Sequence, residues 1–331
     1  MKAMFEIPAK FVWMNGEIVS WEKATVHVFT HALHYGTGVF EGIRAYKVGD
    51  DVFVFRLQDH IRRLVDSAKI YNFDLPYNQD EICDAVLSLI EKNNFHSSLY
   101  IRPIAFKGVG GISLDARVTP TSLSIIAFPY EKYFDKNKQG LDVCVSTWRR
   151  IGEPAVPAMA KACGHYINSV LARTEAGEGG FDEALFLDGN GNISEGTGEN
   201  IFIIRDGQVS TPSLSSSIIN GLTRQTVINL MRDNDIPFVE RAMARAELYT
   251  CDEMFFTGTA AEVAPILTID RKKVGSGQPG RITTRLSQEY ERVVTGLNEK
   301  YRSHITPVYG NREYSIPTPA SSRNVSHPRA S

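Results

Sequence analysis

Cysteine is scarce in this 331-residue chain, and what there is lies scattered. Cys83, Cys144, Cys163 and Cys251 show no CxxC spacing, which argues against a zinc site and against a disulfide framework. A reducing cytoplasm is the expected setting. An excess of either charge is also missing. Thirty-six Lys and Arg against 38 Asp and Glu leave a formal net charge of −2, so no basic field draws nucleic acid or an anionic membrane. No apolar run approaches the ~20 residues that span a bilayer. The start, MKAMFEIPAK, lacks the apolar core of a secretory signal. Nucleotide-binding glycine loops are absent too. No GxxxxGK[ST] occurs, and GNGNISEGTGEN (189–200) reads GxGxxS with strands on either side where a helix should open. A P-loop kinase and a nicotinamide dehydrogenase are disfavoured, and Gly189 and Gly191 read as hairpin turn residues.

What is present suits a large core: 43% hydrophobic and 22% charged residues. The length allows about two domains of roughly 100–200 residues each. FVWMNGEIVSW predicts a hairpin around Asn15-Gly16. VFVFRL, SLYIRPIAFKG and TSLSIIAFPY predict strands. DHIRRLVDSAKIYN places Ile61, Leu64, Val65 and Ala68 on one helical stripe, and EICDAVLSLIEKNN is a second amphipathic helix. LDVCVSTWRR is a strand, residues 161–178 a helix, and ALFLD, NISEG, NIFII and QVST a β-meander. LTRQTVINLMRDN predicts a helix, ARAELYTC another, and DEMFFTGTA a strand ending in a tight turn. Residues 1–128 are thus expected to form a small N-terminal α/β domain. PYEKYFDKNKQG (129–140) is the interdomain loop, 141–310 a larger C-terminal domain, and 311–331 a disordered tail rich in Ser, Pro, Asn and Arg.

Four features carry chemistry, each with a bland alternative. Lys161 sits in VPAMAKACGHYINSV among small and apolar neighbours. It reads either as a surface lysine or as a reactive amine whose basicity burial lowers. Glu195 lies between Ser194 and Gly196-Thr197-Gly198, with Glu199 and Asn200 close by. It is a solvated strand-end residue or the partner of a protonated ring nitrogen. Gly221, Leu222 and Thr223 open a helix and make a phosphate cup, unless Asn220 simply caps it. Thr257, Gly258, Thr259 and Ala260 form either an ordinary turn or a second small-residue turn able to offer amides to an anion. Together, a Schiff-base lysine, a ring-nitrogen partner and a phosphate cradle are what pyridoxal phosphate needs. His27, His31 and His34 follow i, i+4, i+7 spacing, but Gly36 and Gly38 disfavour a long helix and no local carboxylate or cysteine completes a shell. No metal is expected.

On these residues the chain resembles the fold-type IV pyridoxal-phosphate aminotransferases, and within them the branched-chain amino acid aminotransferases. The likeness spans roughly residues 9–305. It rests on HALHYGTGVFEGIRAY, HIRRLVDSAKIY, YIRPIAF, KACGHYINS, ISEGTGENIF, NGLTRQ and ELYTCDEMFFTGTAAEVAPI, in that order. The resemblance implies an α/β (α+β) fold of two mixed domains, the larger a pseudo-barrel. It implies a pyridoxal 5'-phosphate enzyme moving the amino group of L-leucine, L-isoleucine or L-valine to 2-oxoglutarate by a ping-pong mechanism. The assembly it implies is a homodimer or higher homo-oligomer with shared active sites.

Carried over by position, Lys161 would hold the cofactor covalently and shuttle the proton. Tyr166 would bond the ring hydroxyl, and Glu195 would pair with the ring nitrogen. Arg63, Leu222, Thr223 and Thr259 would bind the phosphate, and Ile219 would pack near the ring. Tyr35, Phe40, Gly42, Tyr133, Tyr166 and Ile112 would wall an apolar substrate pocket, Ile112 coming from the neighbouring subunit. Tyr100 with Thr259 and Ala260 would hold the α-carboxylate, and Arg102 a distal carboxylate. Pattern alone makes Arg63 solvent-facing, opposite the Ile61/Leu64/Val65 stripe. Three departures stand out: the short VGGI after Gly108, Tyr130 where relatives often have tryptophan, and Cys163 in place of a common glycine. The rival readings share the cofactor: a D-amino acid or (R)-amine transaminase, or an aminodeoxychorismate lyase. A non-catalytic regulatory homologue is disfavoured by the intact Lys161, Tyr166 and Glu195 set.

Overall fold

The computed structural model describes residues 9–130 and 138–310. Tyr133, most of the 129–140 loop and the 311–331 tail lie outside them. The first half is a mixed layer: β1 (Phe11–Met14), β2 (Glu17–Ser20), α1 (His31–Tyr35), β3 (Gly38–Phe40), β4 (Ile43–Val48), β5 (Asp51–Phe55), α2 (Leu57–Ile70), α3 (Gln79–Asn93), β6 (Leu99–Lys107) and β7 (Thr121–Pro129). The β1–β2 turn places Asn15 at φ 50° and Gly16 at φ 94°, the backbone that a two-residue Asn-Gly hairpin demands. Helix α3 starts with a capping box between Asn78 and Glu81, which satisfies amides that would otherwise be orphaned. Its buried face, with Ile82, Val86, Leu89 and Ile90, joins Ile61 and Leu64 of α2 in one core against the sheet.

The second half holds β8 (Leu141–Arg149), α4 (Tyr166–Glu178), β9 (Glu183–Leu187), β10 (Ile193–Gly196), β11 (Asn200–Arg205), β12 (Gln208–Thr211), α5 (Leu222–Asp233), β13 (Phe238–Glu240), β14 (Glu253–Gly258), β15 (Glu262–Ile269), β16 (Lys272–Lys273), α6 (Arg281–Val294) and β17 (Ile305–Pro307). Strands β10, β9, β8, β15, β14 and β11 pair in that order, and β11 returns to β10, closing a ring. Closure leaves those six strands without free edges and accounts for the expected pseudo-barrel. Strands β8 and β9 run parallel, joined by α4 as the crossover. Such a pair cannot be linked by a hairpin.

The structure departs from the sequence reading in four places. The helix expected from 161 begins at Tyr166, after a single 3₁₀ turn over Cys163–His165. Lys161 itself is extended: its carbonyl accepts from the Phe40 amide at 3.0 Å, its amide donates to Ser67 Oγ at 3.1 Å, and Ala162 bridges Val39. Those partners outcompete helix formation. ARAELYTC forms only a short 3₁₀ segment, Arg245–Tyr249. Helix α6, which the sequence reading passed over, packs Leu286, Tyr290, Val293 and Val294 into a core with α5. Last, β17, within the stretch assigned to the C-terminal domain, pairs with β5 of the first sheet. No helix among the described residues is long and apolar enough to cross a membrane.

Candidate active site

A cleft opens between the barrel and the first sheet. One part of it is lined by Arg63, Arg150, Lys161, Tyr166, Glu195, Thr197, Asn200, Ile219, Gly221, Leu222, Thr223, Thr257 and Thr259. The neighbouring part adds Phe40, Gly42, Tyr100, Arg102, Val170 and Ala260, and shares Lys161, Tyr166 and Thr259.

Lys161 is placed by the extended strand-like segment rather than by a helix, so its side chain crosses the cleft. Nζ donates to Tyr166 Oη at 2.7 Å and lies 5.1 Å from the Phe40 ring centre. Phe40 and Tyr166 meet edge-on at 4.7 Å.

Glu195, near the end of β10, is 5% exposed. Burial pushes its carboxyl pKa up; Arg150 opposes that most strongly, followed by the Ile219 amide. Arg150 Nε donates to Oε1 at 2.8 Å, while Asn200 Nδ2 and the Ile219 amide donate to Oε2 at 3.1 and 3.0 Å. A buried carboxylate is tolerable only with such a set of donors. Sequence reasoning missed Arg150. The signal was there in WRR at the end of a strand, where alternation makes one arginine face inward.

The phosphate-cup residues come together as expected, with one correction. Gly221, not Asn220, is the N-cap of α5, and no side chain caps it. The first-turn amides therefore remain available to an anion. Glycine is required there: a Cβ would meet Asn200 Oδ1 at 2.0 Å. Leu222 and Thr223 are buried at the cleft floor. The Arg63 side chain is 14% exposed, so its expected solvent-facing position is overturned. It reaches back to the barrel, with Nη1 donating to the Asn220 carbonyl at 3.2 Å.

On the other side, Tyr100 Oη accepts from Arg102 Nη2 at 2.7 Å, and the Arg102 guanidinium lies 4.6 Å from the Phe40 ring centre. Gly42 lets Tyr100 in: a Cβ there would meet Oη at 2.1 Å. Tyr35 and Ile112 do not line the cleft of their own chain. Tyr35 Oη donates to the Ile112 carbonyl at 2.9 Å on an exposed loop. Glu199 lines both parts of the cleft, with the Glu183 charge close by. Burial, then the Glu183 charge, pushes the Glu199 pKa up to about 8.

Thr257 Oγ1 and Arg150 Nη1 are buried without a partner among the described residues. An amine, a carboxylate with its own donors, uncapped helix amides and these orphaned groups around one cleft fit a phosphorylated pyridine aldehyde.

Comparison with known proteins agrees. The amino-transferase class IV family matches residues 38–269. The branched-chain-amino-acid aminotransferase of Salmonella typhimurium is 43% identical over 305 residues, covering 91% of this chain and 98% of that protein. The crystal structure of the branched-chain aminotransferase from Thermoproteus uzoniensis, with norvaline, superposes with a TM-score of 0.88 at 46% identity over 91% of this chain and all of that one. The branched-chain amino acid aminotransferase from Thermobaculum terrenum, in its PLP form, gives 0.85 at 38% identity, covering 91% of this chain and 98% of that one. With its closed barrel and its lysine and carboxylate in one cleft, this chain belongs to the class IV aminotransferases and, among them, to the branched-chain-amino-acid aminotransferases.

Proposed function

We propose that this protein is a pyridoxal-phosphate-dependent transaminase that moves the amino group of L-leucine, L-isoleucine or L-valine to 2-oxoglutarate by a ping-pong mechanism. The observation that carries the reading is the single cleft that collects Lys161, Glu195 and the uncapped start of α5. When bound, the cofactor supplies an electron sink for charge developing at the substrate α-carbon.

The chain's own residues do the rest. Lys161 would tether the cofactor, and its Nζ, when free, is the group placed to take the substrate α-proton and return it. Tyr166 orients that amine through its 2.7 Å hydrogen bond. Glu195 pairs with the ring nitrogen, and Ile219 packs beside the ring. Arg63, Leu222, Thr223 and Thr259 hold the phosphate. Phe40 and Gly42 wall the side-chain pocket, while Tyr100 with the Thr259 and Ala260 amides holds the α-carboxylate. Arg102 serves the distal carboxylate of 2-oxoglutarate. Its Nε is buried and unpartnered among the described residues, and its ring contact keeps it tolerable when a branched-chain substrate leaves it idle.

The working assembly is a homodimer or a larger homo-oligomer. Val28, Leu33, Tyr35, Ile112 and Leu114 stand 42–82% exposed, a cluster of the kind that marks an interface. Ile167 and Val170 of α4 are similarly exposed, and Val170 lines the pocket mouth. A second copy would bring its Ile112 loop across that mouth. The cytoplasm is its proposed location.

An absorbance titration tests the reading. Leucine should bleach the cofactor band of the purified enzyme, and leucine with 2-oxoglutarate should yield glutamate. Turnover of D-alanine with none of leucine would replace it with a D-amino acid transaminase.

A further inference from the structure

Between Phe40 and Gly42, which both line the cleft, stands Glu41. Glu41 itself does not line the cleft: its side chain turns to α2 instead. It is fully buried, an expensive place for a carboxylate without partners. Its partners are specific. Oε1 accepts from Arg63 Nε at 2.6 Å, and Oε2 accepts from Arg63 Nη2 at 2.9 Å and from His60 Nδ1 at 2.7 Å. The arginine contact is bidentate, so it fixes the plane of the guanidinium as well as its position. That leaves Nη1 for the Asn220 carbonyl, immediately before the helix start. Burial pushes the His60 pKa down, against the pull of the Glu41 charge; a carboxylate can only accept, so Nδ1 is the donor to it.

We propose that Glu41 is a positioning residue for the cofactor phosphate: it clamps Arg63 in the one orientation that faces the cup at the start of α5. The proposal rests on the reading of Arg63 as a phosphate residue. Glutamine cannot replace Glu41 here. All four contacts to the carboxylate, the Gly42 amide to Oε2 at 3.3 Å included, come from donors, on both of its oxygens. Either amide orientation therefore turns an NH₂ against a donor, and Arg63 must swing away.

The readout is cofactor binding, not activity. Apoprotein of the parent, Glu41→Gln, Glu41→Asp and Arg63→Gln is titrated with pyridoxal phosphate and with pyridoxal, following absorbance. The ratio of the two affinities isolates the phosphate grip, since general loosening weakens both ligands alike. Glu41→Gln should lower the ratio at least tenfold, and Glu41→Asp, which keeps the charge but shortens the reach, by less. If Arg63→Gln lowers the ratio and both Glu41 variants keep the parent value, the proposal is overturned. If only one Glu41 variant folds, its ratio decides by the same criterion. An unchanged ratio in Arg63→Gln overturns the phosphate reading of Arg63 itself, and this proposal with it.

Discussion

Arg150 Nε and Glu195 Oε1 lie 2.8 Å apart with side chains 3% and 7% exposed. They form a buried ion pair whose carboxylate faces the cofactor cleft. Removing one member of such a pair strands the other, at a cost of roughly 3–5 kcal/mol. Arg150→Met should therefore destabilise the protein by an amount of that order, tempered by the Asn200 and Ile219 donors that remain. Urea unfolding of the apoprotein measures it. A variant within about 1 kcal/mol of the parent would show that Arg150 does not hold Glu195.

Lys161→Ala should leave the fold intact and abolish transamination. Proton transfer by a positioned group is worth about 10²–10⁴-fold, and this side chain also carries the tether. Circular dichroism checks the fold, and a coupled glutamate assay checks the rate. A variant retaining full turnover would end the proposed mechanism.

Tyr166→Phe removes the 2.7 Å contact to Lys161 Nζ while keeping the edge-on ring packing with Phe40. A hydrogen bond contributes about 1–3 kcal/mol, more at the charged end, and each 1.36 kcal/mol is tenfold in rate. Turnover should drop roughly 5- to 160-fold, read as kcat from initial rates at saturating leucine. An unchanged kcat assigns Tyr166 to packing alone.

Glu199 gives a pH signature. Its folded pKa is raised to about 8 from an ordinary 4.5, first by burial and then by Glu183. Between those values the folded state keeps a proton that the unfolded chain releases, so this group lowers stability as pH rises from 4.5 to 8. Glutamine mimics the neutral acid. The melting temperature of Glu199→Gln, relative to the parent, should climb across that window and level off above it. The gap would correspond to on the order of a few kcal/mol. Parallel melting curves at about pH 5 and pH 8 would contradict it.

Much of the fold was legible because its elements are locally encoded. Asn15-Gly16 specifies its hairpin wherever it occurs, and the Ile82/Val86/Leu89/Ile90 face of α3 repeats at helical spacing behind a capping box. Residues 166–178 follow the same logic. Lys161 did not, because its backbone partners Phe40 and Ser67 lie about a hundred residues upstream. No local pattern carries that information.

The sequence by itself determined the chemical inventory: an amine among apolar neighbours, an acid on a Gly-rich strand, a glycine at a helix start, and the ordered motifs of a transaminase family. Tertiary structure decided which charges meet. Arg63 sits on the polar side of its helix and becomes buried only because Glu41, in the link between β3 and β4, and the loop before α5 close over it. Arg150 and Glu195 are 45 residues apart and touch because β8, β9 and β10 are neighbours in one closed barrel. Burying a charge requires a partner, and only the folded chain supplies one across such distances.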